Sequence, residues 1–206
     1  MQRDSKINQF TLINRFIIGG FGLITVLVGV TTIISQRMTQ TLSENREWVA
    51  HTYNVKAQLK ELEKSLVDAE TGQRGFIFTN EERYLEPYDQ AIEELDDIFE
   101  TLRSTISDNP EQLERLATVE DISEGKIAEL ATTIDLKRQG KQAELRQLVL
   151  SDQGKELMDD IRAQIARMVA TENELLDIRY QDADSAERLV FWLHWSSFIV
   201  IAMVAI

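Results

Sequence analysis

The residues best placed to do chemistry lie in one stretch, DAETGQRGFIFTNEERYLEPYDQA, from Asp68 to Ala91. Glu70 and Arg74 are four apart, in the favourable order for an ion pair on a helix. Gln73 falls on an apolar stripe, where an amide needs a buried partner. Together Glu70, Gln73 and Arg74 could line a pocket for a small ligand or contact a partner protein. Alternatively the stretch only fixes a helical hairpin, with Gly72, Gly75, Phe76, Tyr84 and Tyr88 as its packing residues. The glycines favour packing. Each costs about 1 kcal/mol against alanine inside a helix, and glycines three apart share a face that another backbone can approach closely.

Elsewhere the residue types argue against catalysis. His51 and His194 are far apart, with no second histidine one turn away to complete a metal site. Adjacent acids such as Glu93–Glu94, Asp96–Asp97 and Asp159–Asp160 diverge on a helix surface and read as solvated faces. There is no glycine-rich phosphate loop and no nucleophile elbow. The chain contains no cysteine, which excludes disulfides and thiolate metal sites. We therefore expect no catalytic residues, no metal and no cofactor. A net charge of −13 argues against nucleic acid as a partner. The one tight basic group, Lys137, Arg138 and Lys141, is better explained as complementing a helix dipole.

Two segments point to a lipid bilayer. FIIGGFGLITVLVGVTTII, Phe16 to Ile34, carries no charge over about the length a membrane helix needs. LVFWLHWSSFIVIAMVAI, Leu189 to Ile206, is also uncharged, and Trp192 and Trp195 near its start suit a headgroup belt. The expected organisation is a cytoplasmic tail at 1–15, a transmembrane helix at 16–35, an extracytoplasmic domain at 36–188 and a second transmembrane helix at 189–206. That second helix reads as truncated, as if an output domain followed Ile206. Arg3, Lys6 and Arg15 against one acid, Asp4, place the tail inside by the positive-inside rule. Setting these aside from the 22 basic and 35 acidic residues leaves 19 against 34, a charge of −15 between the spans. The implied location is the plasma (inner) membrane, crossed twice.

The region between the spans has the period of helices throughout, and no stretch alternates as a strand does. Leu59, Leu62, Leu66, Ala69, Gln73 and Phe76 mark the first helix. Tyr84, Tyr88, Ala91, Leu95, Ile98 and Leu102 mark the second, widened by Leu85, Ile92, Phe99 and Ile106. Thr79 and Glu82 have the spacing of a capping box for that helix. Asn109 and Pro110 suit the start of a third, with Leu113, Leu116, Val119, Ile127, Leu130 and Ile134, and Gly140 suits its stop. After a short piece, 141–150, Ser151 is placed to cap a fourth helix carrying Met158, Ile161, Ile165, Met168 and Leu175. The expected fold class is all-α: an up-down-up-down four-helix bundle whose long first and fourth helices are continuous with two transmembrane helices.

ETGQRGFIFTNEERYLEPY, Glu70 to Tyr88, closely resembles the signature of the third class of CHASE-type extracellular sensory domains. GKELMDDIR from Gly154 and ENELLDIR from Glu172 resemble the same family at the expected distance. Ile77 and Phe78 stand where leucines are common, and Asn80 where glycine is usual. The resemblance spans 36–188. It implies the sensory and transmembrane part of a membrane receptor, acting as a parallel homodimer and responding to an unknown small-molecule or protein stimulus. Its implied outputs include histidine kinases, the commonest, and nucleotide cyclases. Thr25 and Gly29 form a small-xxx-small pair compatible with a dimer. A chemoreceptor-type bundle binding a small molecule, and a structural protein using the bundle to dimerise, stay open. Toward the membrane the fourth helix's stripe passes through Glu172 and Arg179, polar positions expected to pack weakly and to carry a signal.

Overall fold

A computed structural model describes residues 2–204, and every element in it is helical. Met1 and the last two residues of the expected second span, Ala205 and Ile206, lie outside the described residues. The helices are α1 (Gln2–Thr79), α2 (Glu86–Thr105), α3 (Pro110–Arg138), α4 (Gln142–Leu150) and α5 (Gln153–Val204), with one 3-10 turn at Glu82–Leu85. The chain divides into two compact units: Val49–Leu176, and the residues up to Trp48 together with those from Asp177 onward.

In the first unit α1, α2, α3 and α5 run up, down, up and down, and α4 connects the last two. The stripes meet in one core: Val55, Leu59, Leu62 and Leu66 of α1 pack with Leu95, Phe99 and Leu102 of α2, Leu116 and Val119 of α3, and Met158, Ile161, Ile165 and Met168 of α5. Full burial of each large aliphatic side chain stabilises by about 1.5–3 kcal/mol. Towards the hairpin end the core narrows to Ala69, Ala91 and Leu130, then Phe76, Leu85 and Ile134. In α5 it is Leu176 that is buried, and Leu175 lies at the core edge.

The caps follow the sequence in two places, follow it in part in a third and depart from it in one. Asn109 accepts from Gln112 N–H with Pro110 opening α3, and Gly140 takes φ +70° after its end. Thr79 does not cap the second helix. It ends α1, where its hydroxyl donates to the Gly75 carbonyl and accepts from Glu81 N–H. Asn80 takes φ 62° and donates its N–H to the Phe76 carbonyl, the left-handed stop that asparagine tolerates. Reversing the chain this tightly leaves only a 3-10 turn at Glu82, so regular helix resumes at Glu86. Ser151 closes α4, its hydroxyl donating to the Leu148 carbonyl, and it also accepts from the Gln153 N–H at 3.4 Å where α5 begins, so it serves both helix ends. Asp152 at φ 60° turns the chain between them.

The second unit comprises the residues up to Trp48 and those from Asp177 onward. Within α1 an 18-residue window reaches a mean hydropathy of 2.0 with nothing buried, enough by length and composition to cross a membrane. Phe21, Val26 and Ile33 face outward there, and the Thr25 and Thr32 hydroxyls donate to carbonyls one turn back. Such internal pairing lets a hydroxyl sit in lipid. Gly29 has open space around it. In α5 Phe191, Trp192, Trp195 and Phe198 form a row of edge-on and tilted rings, 5.8–6.2 Å between neighbouring centroids. Arg179 donates to the Trp48 carbonyl at 3.1 Å and lies 4.8 Å from the centre of the Trp48 ring, joining α5 to α1.

Candidate functional site

The signature stretch has two faces with different work. One face packs the hairpin. A Cβ on Gly72 would stand 2.7 Å from the Tyr84 carbonyl oxygen and 3.3 Å from Pro87 Cδ. A Cβ on Gly75 would stand 2.9 Å from Tyr84 Cδ1. Both are closer than any Cβ can sit, so the chain after the turn lies directly on α1. Phe76 is buried beside Leu85 and Ile134, with the Arg138 guanidinium 5.6 Å from its ring centre. Arg138 also reaches across the turn to both oxygens of Glu82, at 3.1 and 2.6 Å. That hydrogen bond holds the Glu82 carboxyl below its ordinary range and raises Arg138. Tyr88 is half-buried and burial pushes its hydroxyl up; Tyr84 stays partly exposed over the glycines.

The other face lines a cleft of about 710 Å³ between α1, α3 and the α4–α5 junction. Glu70, Gln73 and Arg74 come together in it. Arg74 donates to Glu70 Oε1 at 3.0 Å, and Gln73 donates to the Thr133 hydroxyl of α3. The central group is Lys126, which sequence reading did not single out. Its side chain is 1% exposed. The ammonium donates to Glu70 Oε1 at 3.2 Å, Glu129 Oε2 at 3.0 Å and the Gly154 carbonyl at 3.0 Å. Three donors meet three acceptors, one each on α1, α3 and α5, which is what lets a charge stay buried. Gly154 leaves room for the same contact, since a Cβ there would stand 2.6 Å from Glu129 Oε2 and displace that carboxylate. A signal for Lys126 was available: Leu116, Val119, Ser123, Lys126, Leu130 and Thr133 follow one another at spacings of three and four, so this lysine occupies a core position.

Around that floor each wall carries one acid and one base. On α1 these are Glu70 and Arg74, on α3 Glu129 and Lys126, and at the start of α5 Asp152 and Lys155. Lys155 pairs outward with Asp159 at 2.7 Å, which raises the lysine and lowers the acid. Apolar residues finish the mouth. Phe78 is 92% exposed there, and Val149 is also exposed.

Glu172 lies far from this cleft, 18 residues or about 27 Å down α5 from Gly154. It is buried with Gln112, whose amide donates to Glu172 Oε1 at 3.0 Å and to the Met168 carbonyl at 3.1 Å. The second Glu172 oxygen and the Gln112 carbonyl oxygen have no hydrogen-bond partner. Arg179 belongs to the other unit, on Trp48. Among the described residues no group of three His, Cys, Asp or Glu side chains could hold a metal ion.

The family model of the CHASE3 domain matches residues 45–182. Among solved structures, the histidine kinase HK9 sensor domain of Rhodopseudomonas palustris is similar in fold. Its TM-score is 0.56 at 22% identity, covering 60% of this chain and 97% of that one. No curated protein matches the sequence.

Proposed function

This chain belongs to the CHASE3 family of sensory domains, and from that membership we propose that it is the extracytoplasmic sensory and transmembrane region of a two-pass sensor histidine kinase. The kinase assignment is supported by the fold it shares with the HK9 sensor domain. The observation that carries the mechanism is the tie at Lys126. It joins α1, α3 and α5 through a charge that tolerates no half-satisfied state. A stimulus entering the cleft enters a lining that includes Glu70, its partner Arg74 and Glu129, and a shift of either carboxylate breaks or remakes that tie. Of the three helices joined there, α1 and α5 are the two that run on into apolar segments. A displacement between them is thus the natural output of the domain.

The expected topology places residues 1–15 in the cytoplasm and 36–188 outside. Because the chain has no cysteine, single cysteines at Gln9 and Ser43 can be labelled in cells with an impermeant maleimide. Labelling of Ser43→Cys alone is expected. Signalling is tested by a chimera in which residues 1–206 replace the matching region of a two-pass histidine kinase. Arg74→Ala and Lys126→Met should change basal phosphorylation, whereas Lys60→Ala should not. Phosphorylation indifferent to all three would refute the proposal.

A further inference from the structure

We propose that the cleft at Lys126 binds a zwitterion with an apolar side chain, of the size and chemistry of an α-amino acid. The inference rests on the sensory reading above and adds the ligand class. A cleft of about 710 Å³ lies within the range of small-molecule sites, roughly 300–1,000 Å³. Its charge is balanced wall by wall: Glu70 with Arg74, Glu129 with Lys126, Asp152 with Lys155. A net anion such as a phosphate or dicarboxylate would meet three carboxylates, and a polyamine would meet the open Arg74 guanidinium among acids that Lys126 and Arg74 already partner. A ligand carrying one charge of each sign finds a partner for both.

The hydrogen bonds narrow the contacts further. Lys126 has spent its donors on Glu70, Glu129 and Gly154, so it holds the floor in shape and leaves the ligand to others. Arg74 uses one nitrogen on Glu70, and its side chain is otherwise 72% exposed, so its guanidinium is open to a carboxylate. Among the described residues no donor reaches the Asp152 carboxylate, which is exposed and therefore open to an ammonium, whereas Glu129, its side chain 8% exposed, is held by Lys126. The apolar part of the ligand has its own wall. Phe78 sits on the last turn of α1 with its ring in solvent, beside Ile77 and Val149 at the same mouth. An exposed aromatic on a rigid helix end next to a charged cleft is what a ligand side chain would cover.

The test is calorimetric titration of the full chain in lipid nanodiscs with L-phenylalanine, with 3-phenylpropanoate, which lacks the ammonium, and with phenethylamine, which lacks the carboxylate. Saturable binding of L-phenylalanine at least about tenfold tighter than either analogue is expected, from one lost charged contact. Arg74→Ala should erase the advantage over phenethylamine. Phe78→Ser should weaken L-phenylalanine by about tenfold through lost apolar contact. Both side chains are exposed, so neither change threatens the fold. Equal binding of a singly charged analogue, or no binding of L-phenylalanine at millimolar concentration, would overturn the proposal. If the chimeric kinase still responds to Arg74→Ala while no zwitterion binds, the sensory reading stands and the ligand class falls. If L-phenylalanine binds but leaves phosphorylation unmoved, the ligand class stands and the sensory role of the cleft falls.

Discussion

Adding one methyl group to the hairpin at Gly72 should be costly, although alanine is the better helix former. The substitution gains about 1 kcal/mol of helix propensity. Against that, the new Cβ would lie 2.7 Å from the Tyr84 carbonyl oxygen, 3.3 Å from Pro87 Cδ and 3.4 Å from the Tyr88 nitrogen. Two of those neighbours are backbone atoms, so relief requires the whole start of α2 to move off α1. Overpacking of this kind costs about 1–3 kcal/mol, and the absence of a yielding side chain places Gly72→Ala near the upper end. The net expectation is a loss of about 2 kcal/mol. Gly75→Ala should cost less, because its neighbours are atoms of the Tyr84 side chain. Gly125→Ala supplies the opposite sign. Its Cβ would meet only Leu157 Cδ2 at 3.6 Å, an ordinary contact, so the propensity gain of about 1 kcal/mol survives. Thermal unfolding of residues 45–182, followed by circular dichroism, should separate Gly72→Ala from Gly125→Ala by on the order of 10 °C. If both variants melt higher than the parent, the close-approach reasoning is wrong.

Three further outcomes can be checked. Lys126→Ala leaves Glu70 and Glu129 buried without their cation and should cost about 3–5 kcal/mol in denaturant unfolding, most of it recovered when Lys126→Met is combined with Glu70→Gln and Glu129→Gln. The Arg138 hydrogen bond lowers the Glu82 carboxyl from its ordinary 4.5, so that contact contributes fully above this value and is lost as the pH falls through the lower folded value; an NMR titration should find the depressed midpoint in the parent and its return in Arg138→Gln. Residues 36–48 and 177–188 contain no buried side chain, unlike 59–100, and should show faster amide exchange in lipid; equal protection would contradict a weakly held membrane-proximal half.

The sequence alone determined the helices, the core rows Leu59–Leu66 and Met158–Met168, the Asn109 cap and the Gly140 stop. These follow from local period and backbone chemistry, which need no knowledge of what lies across the core. It also marked Glu70, Gln73 and Arg74, because polar residues on or beside an apolar stripe stand out against their neighbours. Only the tertiary structure decided what they face. Lys126 finds its partners 56 residues back in Glu70 and 28 residues ahead in Gly154, separations at which no periodicity links them. The same holds for Arg138, which one would assign to a helix dipole but which clamps Glu82, also 56 residues away. Thr79 carries the opposite lesson. Its spacing to Glu82 suits a cap, yet packing α2 on the Gly72 face required the chain to reverse at Asn80, and the threonine was left closing α1. Spacing tells which side of a helix turns inward; the element that meets it, and the charge it brings, come only from the fold.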